Sequence, residues 1–294
     1  MDIENGSQTW KFKADGPIIA PAAVFGDRVF FGDAYGFVYA LSTKDGTELW
    51  RFETDGKIEG GINGLKSESG ELHLFVGSND YFLYCLKAED GSVLWKTETD
   101  NNIVATPSIV NSGGQCAITF GGCDGMLHIL PADGKGEPRE VETGTYIGNS
   151  SAVRDGICYV ADNGGSIMAI DIASGEMVWK LETEAQYLAS PAVGEKLLYI
   201  AGPDKRLVAY DRVMGDQVWA FQTSRELDSS PVVCPGAIWQ GGLDGRLYAV
   251  DPKTGKELWN FDLGAKIKAS PAISRGTLII CGKDGVVYGF RKEK

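Results

Sequence analysis

Residues 241–261 read GGLDGRLYAVDPKTGKELWNF. Two turn signals, Asp244-Gly245 and Thr254-Gly255, lie between short runs in which apolar and polar residues alternate. Asp-Gly between such runs is a strong hairpin signal, because both residues tolerate the positive φ of a tight turn. The stretch therefore predicts β-strands joined by tight turns, the last of which carries Trp259.

The same arrangement recurs along the whole chain, marked by Trp10, Trp50, Trp95, Trp179, Trp219 and Trp259. The intervals are 40, 45, 84, 40 and 40 residues, so the long interval holds two periods. Aligning REVETGTYIGNSSAV (139–153) with WKLETEAQYLASPAV (179–193) places Arg139 in the missing tryptophan position. The sequence therefore predicts seven repeats, which average 42 residues over the 294.

Each repeat contains four short β runs, and no segment shows the 3.6-residue period of a helix. Four strands in about 40–45 residues are typical of one blade of a β-propeller. We predict an all-β, seven-bladed β-propeller with four antiparallel strands per blade, forming a single domain over 1–294. The N-terminal strand is predicted to complete the last blade, which would bring the chain ends together.

Aligning the repeats at the first turn gives a column of small residues: Gly32, Gly77, Gly121, Ala161, Ala201, Gly241 and Cys281. A second such column contains Ala40, Cys85, Ile129, Ala169, Ala209, Ala249 and Gly289. Small residues that recur on strands indicate either the close approach of a neighbouring blade or a large ring packed against them. The tryptophans could supply that ring.

Composition excludes several classes of protein. The chain is 43% apolar, which is too much for a disordered protein, and no stretch approaches a membrane span. Its 28 basic and 40 acidic residues give a net charge of −12, which argues against nucleic acid and anionic membranes as partners.

The N-terminus shows no secretory signal, so we expect a cytoplasmic protein or one whose leader has been removed. Six unpaired cysteines favour a reducing compartment.

The Gly turn, the Trp and the Ser-Pro and Asp-Gly-x-Leu-Tyr-Ala elements together resemble the pyrroloquinoline-quinone (PQQ) repeat with its tryptophan-docking motif. Clear instances are DPKTGKELWNF (251–261) and GGLDGRLYAVD (241–251). The resemblance implies the propeller fold and covers the whole chain. It also implies one of three roles: a PQQ- and Ca²⁺-dependent dehydrogenase, a non-catalytic BamB-like protein, or a sensor domain.

The PQQ enzymes of that family resemble eight-bladed rings with a vicinal Cys-Cys disulfide. This chain has seven repeats and no Cys-Cys pair. We therefore expect neither PQQ nor Ca²⁺ to bind, and no metal site. WD40 repeats fit less well, since the chain has two histidines and no Trp-Asp pair.

Other reactive side chains are best explained by structure. Cys85 and Cys281 occupy small-residue columns and are expected in the core, whereas Cys116 and Cys123 leave a disulfide or metal role open. His128 stands where other repeats have tyrosine and is predicted to replace a core aromatic. His73 has no obvious partner, so no Ser-His-Asp set is expected.

The aspartates of the first turns are predicted to stabilise turns rather than to bind Ca²⁺, which needs six to eight converging oxygens. They are Asp80, Asp124, Asp204, Asp244 and Asp284. Arg139 has two open readings: it marks a partner surface, or its stem packs in place of the indole ring. The loops at 65–71 and around Gly113-Gly114 are possible contact loops.

The repeats differ most in the stretch that precedes each Ser-Pro strand, which we call the lead-in segment. We predict that these segments line an axial funnel and supply the ligand or partner site: Lys57, Glu59, Asn102, Tyr146, Asn149, Gln186, Tyr187, Glu226, Asp228, Lys266 and Lys268. The alternative is that Glu226 and Asp228 only pair with Lys266 and Lys268.

With no catalytic set assembled, the sequence favours a non-catalytic, monomeric propeller that binds a protein or peptide. The alternatives are a quinoprotein-type oxidoreductase or its remnant, and a domain that senses a small molecule.

Overall fold

A computed structural model describes residues 1–112, 115–136 and 138–291. These residues form 27 β-strands and no helix, which confirms the all-β prediction. Within them, therefore, no helix has the length and apolar character needed to span a membrane. The possible contact loop at Gly113-Gly114 lies outside the described residues.

The strands form seven sheets, each an antiparallel meander in chain order. The first is β1 (Ala23–Phe25), β2 (Arg28–Gly32), β3 (Phe37–Ser42) and β4 (Glu48–Glu53). The second is β5 (Asn63–Lys66), β6 (Leu72–Gly77), β7 (Phe82–Lys87) and β8 (Val93–Glu98). The third is β9 (Ser108–Ser112), β10 (Gln115–Gly121), β11 (Met126–Pro131) and β12 (Arg139–Glu142).

The fourth sheet is β13 (Ala152–Arg154), β14 (Ile157–Ala161), β15 (Ser166–Asp171) and β16 (Met177–Glu182). The fifth is β17 (Ala192–Val193), β18 (Leu197–Ala201), β19 (Arg206–Asp211) and β20 (Gln217–Gln222). The sixth is β21 (Val232–Cys234), β22 (Ala237–Gly241), β23 (Arg246–Val250) and β24 (Glu257–Asp262). The seventh is β25 (Ala272–Ser274), β26 (Thr277–Cys281) and β27 (Val287–Arg291). Seven such meanders are the blades of a β-propeller, as predicted.

The chain divides into two compact units. Unit 1 contains residues 8–158 and 171–176, and unit 2 contains residues 2–7, 159–170 and those from 177 onward. In each unit the core lies between neighbouring sheets: Phe30, Ile58 and Leu74 pack together in unit 1, and Ala209 and Leu227 pack together in unit 2. The single-domain assignment stays a prediction.

Tryptophans such as Trp50 and Trp219 attach the outer strand of one sheet to the turn of the following sheet. The indole Nε1 of Trp50 donates to the carbonyl of Ala88 at 3.0 Å, and that of Trp219 donates to Pro252 at 3.3 Å. The ring lies flat on a turn glycine: a Cβ on Gly91 would stand 2.7 Å from Cε3 of Trp50. Because Gly91 also has a φ of 75°, only glycine satisfies both the turn and the ring.

The tryptophan of the sixth sheet differs from Trp50 and Trp219 in its contacts and in its exposure. Trp259 contacts Trp239 and Phe290 and keeps 38% of its surface exposed.

The first column of small residues faces the lead-in segments, so the close-approach alternative is right for this column. A Cβ on Gly32 would lie 2.2 Å from Cγ2 of Ile58, and one on Gly77 would lie 2.3 Å from Cγ2 of Ile103. The second column lies across the ladder from the tryptophans, as in the pair Ala40 and Trp50. A branched apolar side chain and an indole ring therefore each need their own small neighbour.

The chain ends approach each other as predicted. Arg291 Nη2 donates to Glu4 Oε1 at 2.9 Å, although 287 residues separate the two. Trp10 donates to the carbonyl of Thr43, which places it on the first sheet as Trp50 lies on the second. The seventh sheet has three strands, and no strand is assigned before β1. Closure by a fourth strand therefore stays a prediction.

The docking of the tryptophan rings predicts a large effect on stability. Replacing Trp219, which is 9% exposed, with Ala is expected to lower the free energy of unfolding by about 3–5 kcal/mol in urea titrations. The neighbouring Val218 is 51% exposed, so Val218→Ala is the control and is expected to change it by less than about 0.5 kcal/mol. Equal effects in both variants would contradict the docking role.

Candidate functional site

The lead-in segments are held by the same pair of backbone hydrogen bonds in successive repeats. The amide of Ile58 donates to the carbonyl of Asp33 in the first sheet's turn, and the carbonyl of Lys57 accepts from Asn79 in the second. The same pair recurs in unit 2, where Leu227 donates to Gly202 and Glu226 accepts from Leu243. The segments at 57–58, 102–103, 226–227 and 266–267 each tie the turns of two neighbouring sheets in this way, with the apolar residue buried between them.

The residues on either side of that apolar residue carry the variable side chains of the predicted site. In unit 1, Lys57 and Tyr146 are exposed, Glu59 and Asn102 are half-buried, and Asn149 is buried. The carbonyl of Asn102 accepts from the amide of Cys123 at 2.9 Å. Backbone contacts thus fix these segments, while their outer side chains remain accessible.

In unit 2, the structure brings one predicted pair together: Lys268 Nζ lies 2.7 Å from Asp228 Oδ2. Gln186 and Lys266 are exposed and Glu226 is half-buried. Tyr187 is buried, and its hydroxyl lies 3.0 Å from Oγ1 of Thr183. Burial raises the pKa of Tyr187 to about 12. Whether all eleven residues line one funnel stays a prediction.

The Ser or Thr at the Ser-Pro positions has a role that sequence analysis missed; in the fourth repeat Ser150 holds this position, although Ser151 follows it instead of proline. Oγ1 of Thr106 accepts from the amide of Gly61, and Oγ of Ser150 accepts from the amide of Thr106. In unit 2, Ser230 accepts from Ser190 in the same way. A hydroxyl one repeat further along thus satisfies each amide. The recurrence of Ser-Pro at a fixed distance from the tryptophan was the available signal.

The turn aspartates stabilise turns, as expected. Asp80 accepts from the amide of Phe82 through Oδ1 and from the hydroxyl of Tyr84 through Oδ2 at 2.7 Å. Asp244 and Tyr248 repeat the contact at 2.6 Å. Burial, and then the bond to the carboxylate, raises the pKa of both tyrosines. Among the described residues no group of three or more His, Cys, Asp or Glu side chains could hold a metal ion.

His128 takes the tyrosine position in the third sheet, and its ring stacks on Phe120 with centroids 4.9 Å apart. The predicted aromatic replacement is thus confirmed, but the ring also has polar partners. Nε2 lies 2.8 Å from Oδ2 of Asp124, and Nδ1 lies 3.4 Å from Oε1 of Glu140. The imidazole therefore lies between two carboxylates, an arrangement that sequence analysis missed.

These groups line a cleft of about 330 Å³ in unit 1. Its lining contains four carboxylic acids, one imidazole and one thiol: Glu98, Asp100, Asp124, Glu140, His128 and Cys123. Burial, followed by the charges of Asp124 and Glu59, raises the pKa of the Cys123 thiol. The cleft is therefore strongly acidic, and its thiol is a poor nucleophile at neutral pH.

Two predictions about single side chains are wrong. His73 does have a partner, since its Nε2 lies 3.3 Å from Oε2 of Glu71. Cys281 is exposed rather than in the core. Cys85 is buried as predicted, and burial raises its pKa to about 12.

Arg139 takes over the work of the missing tryptophan. Its Nη1 donates to the carbonyls of Ile172 and Ala173 at 2.8 and 2.6 Å. A Cβ on Gly175 would stand 2.4 Å from Cδ of Arg139, so the side-chain stem covers the turn glycine as an indole ring does elsewhere. Two explanations were predicted for Arg139, and the structure shows the one in which its stem packs in place of the indole ring.

Three features define this fold as a tryptophan-docked, seven-bladed β-propeller. They are the meanders that tryptophans join, the apolar lead-in residues that pack on small neighbours, and the Ser-Pro hydroxyls that accept from backbone amides. The family model described as outer membrane protein assembly factor BamB matches residues 1–66, 132–235 and 224–294. The chain belongs to this BamB family.

A search of the curated proteins found no match. Among solved structures, the chain is similar to the crystal structure of BamB from Moraxella catarrhalis, with a TM-score of 0.80 and 19% sequence identity. The similarity covers 98% of this chain and 87% of that one. At this identity the similarity shows the shared fold.

The docking role of Arg139 can be tested by substitution. Arg139→Leu removes two hydrogen bonds from a charged donor and is expected to lower the free energy of unfolding by about 1.5–3 kcal/mol. Arg139→Trp supplies the donor and ring of the other repeats and is expected to retain most of the stability. If the two variants lose equal stability in urea unfolding, Arg139 does not substitute for the indole.

The buried tyrosine hydroxyls predict a loss of stability at alkaline pH. Burial raises the pKa of Tyr39 from 10.0 to about 12, and its bond to Asp33 adds to the shift. The neutral phenol therefore stabilises the fold below pH 10, and this contribution is lost as the pH rises through about 12. The urea midpoint should fall less steeply in Tyr39→Phe than in the wild type above pH 10. Parallel curves for the two proteins would contradict this assignment.

Proposed function

We propose that the chain is a non-catalytic scaffold that binds a protein or peptide through its lead-in segments and loops. The observation that carries the proposal is the contrast within those segments. The backbone at Lys57, Glu226 and Lys266 makes the same two hydrogen bonds in both units, whereas the accessible side chains at these positions change between positive and negative charge. A fixed frame with variable side chains is how binding loops achieve specificity on a rigid scaffold.

The physical advantage of such a frame lies in the cost of binding. Backbone already held by hydrogen bonds loses little conformational entropy when a partner docks, so more of the contact energy appears as affinity. Exposed apolar side chains within the same segments, such as Leu188 at 57% exposed, offer anchors beside the polar groups. These features favour recognition of an extended polypeptide.

The family name supports a partner that takes part in the assembly of outer membrane proteins. On this proposal the chain acts as a monomer and needs no cofactor, and its ligand is a polypeptide rather than nucleic acid. The net charge of −12 favours partners with basic segments.

Panning a random peptide library on the immobilised chain tests this function. Enriched peptides are expected to bind more weakly by about tenfold or more to Gln186→Ala or Leu188→Ala, as measured by calorimetry. The control is Lys253→Ala on an outer turn, which should leave binding unchanged. Failure to enrich any peptide, or equal losses in the control, would count against the proposal.

The non-catalytic part is tested separately by adding PQQ and Ca²⁺ and following dye-linked alcohol oxidation. Turnover above the protein-free blank would overturn it.

A further inference from the structure

The residue that follows the tryptophan position differs in charge between the repeats. In six repeats it is basic or uncharged: Lys11, Arg51, Lys96, Lys180, Ala220 and Asn260. In the third sheet it is Glu140, directly after Arg139. A negative side chain therefore stands where the two preceding sheets of unit 1 carry a positive one.

In the first two sheets this basic side chain packs on its own sheet. The guanidinium carbon of Arg51 lies 5.4 Å from the ring centroid of Tyr39, and its Nη1 donates to Oδ2 of Asp15 at 2.7 Å. In the second sheet, Nζ of Lys96 lies 3.8 Å from the ring centroid of Phe82. Each of these sheets thus holds a cation over the side chains of its third strand.

The aspartate that pairs with this cation in the first sheet has a counterpart in the third. Asp15 stands five residues after Trp10, and Asp100 stands five residues after Trp95. Asp15 forms an ion pair with Arg51, whereas Asp100 lines the cleft of about 330 Å³. The third sheet therefore keeps a carboxylate of the cation site.

The place of the cation itself is open in the third sheet. The cross-strand register sets Glu140 opposite His128, as it sets Arg51 opposite Tyr39. No lysine or arginine is among the described residues that line the cleft. Its volume of about 330 Å³ equals that of roughly ten water molecules, which leaves room for a guanidinium group.

The charges that line the cleft favour a cation from outside the chain. Within the described part of the chain, no lysine or arginine forms an ion pair with Glu98, Asp100 or Glu140. Carboxylates that face one cleft repel each other, and a bound cation relieves that repulsion. A guanidinium group suits such a site, because its five N–H donors form a fork that reaches more than one carboxylate at once.

We propose that the cleft binds an arginine side chain of a partner polypeptide, whose guanidinium group contacts the carboxylates of Asp100 and Glu140. This inference rests on the proposed function, since the arginine belongs to the polypeptide that the scaffold binds. The cleft adjoins the lead-in segment of the third sheet: Asn101 lines it, and the next residue is Asn102 of the predicted site. A peptide held by the lead-in segments can therefore place a basic residue in the cleft.

A titration with a small probe tests the cleft without any peptide. N-acetyl-arginine amide is added to the ¹⁵N-labelled full chain, and the amide signals of Asn101 and Cys123 are followed by NMR. These signals should shift to saturation, and binding should weaken when the salt concentration rises from about 20 to about 300 mM. Neutral N-acetyl-citrulline amide, which has nearly the same shape, should cause no saturable shift. Equal responses to the two probes, or no response to the arginine probe, would overturn the proposal.

Variants of one residue locate the bound group. Glu140→Lys supplies the cation that Lys96 supplies in the second sheet, and it should weaken binding of the probe by about tenfold or more. Glu140→Gln removes one carboxylate and should weaken binding by about threefold. The matched control is Glu68→Gln, the same change of charge in the exposed loop between β5 and β6, which should leave binding unchanged. Equal losses in Glu140→Gln and the control contradict the site. If Glu140→Lys does not fold, Glu140→Gln and Asp100→Asn decide the question.

The panned peptides separate this inference from the function on which it rests. Peptides that bind the wild type through arginine and lose about tenfold in affinity for Glu140→Lys support the site. Peptides that bind both proteins equally contradict the arginine site and leave the scaffold function intact. Binding of the arginine probe with no enriched peptide supports the cleft and counts against the scaffold function.

Discussion

The structure depends on the contact that joins one sheet to the next. A four-stranded meander exposes two faces, and none of these sheets can bury both of them alone. At the junction of the first and second sheets the chain meets this constraint with two wedges: an indole ring on a turn glycine, and an isoleucine under the end of the second strand. Both wedges need a neighbour without a bulky side chain, as Gly91 under Trp50 and Gly32 under Ile58 illustrate.

Hydrogen bonds make these junctions specific rather than merely apolar. The indole N–H meets a turn carbonyl, the lead-in backbone bonds to both flanking turns, and the Ser-Pro hydroxyl accepts from the preceding repeat. A buried polar group costs free energy when it has no hydrogen-bond partner. Any other spacing between the sheets would leave these groups unpaired and would destabilise the fold. Arg139 fulfils both roles without an aromatic ring, since its guanidinium donates to the turn carbonyls and its stem covers the turn glycine.

Because the repeats share one backbone arrangement, a position where one repeat carries a different side chain is informative. Tyrosine bonded to aspartate is the rule at the first turn, so the imidazole of His128 between two carboxylates stands out as a change of chemistry within an unchanged backbone. The lead-in side chains vary in the same manner over a fixed frame. The proposed binding site therefore lies at positions where side chains differ while the hydrogen-bonded frame does not.

The sequence by itself determined the number of repeats, the strands and their turns, and the position of Arg139 in the tryptophan series. These are local properties, set by glycine and aspartate in turns and by a period of about 40 residues. It also placed His128 correctly among the aromatic residues.

Only the tertiary structure decided what each small residue faces, because Gly32 meets Ile58 of the next repeat, 26 residues away in sequence. The same holds for the Glu71 partner of His73, the exposure of Cys281 and the pair between His128 and Glu140. These depend on the direction of side chains across strands and between sheets, and a repeat pattern specifies spacing along the chain but not such distances between atoms.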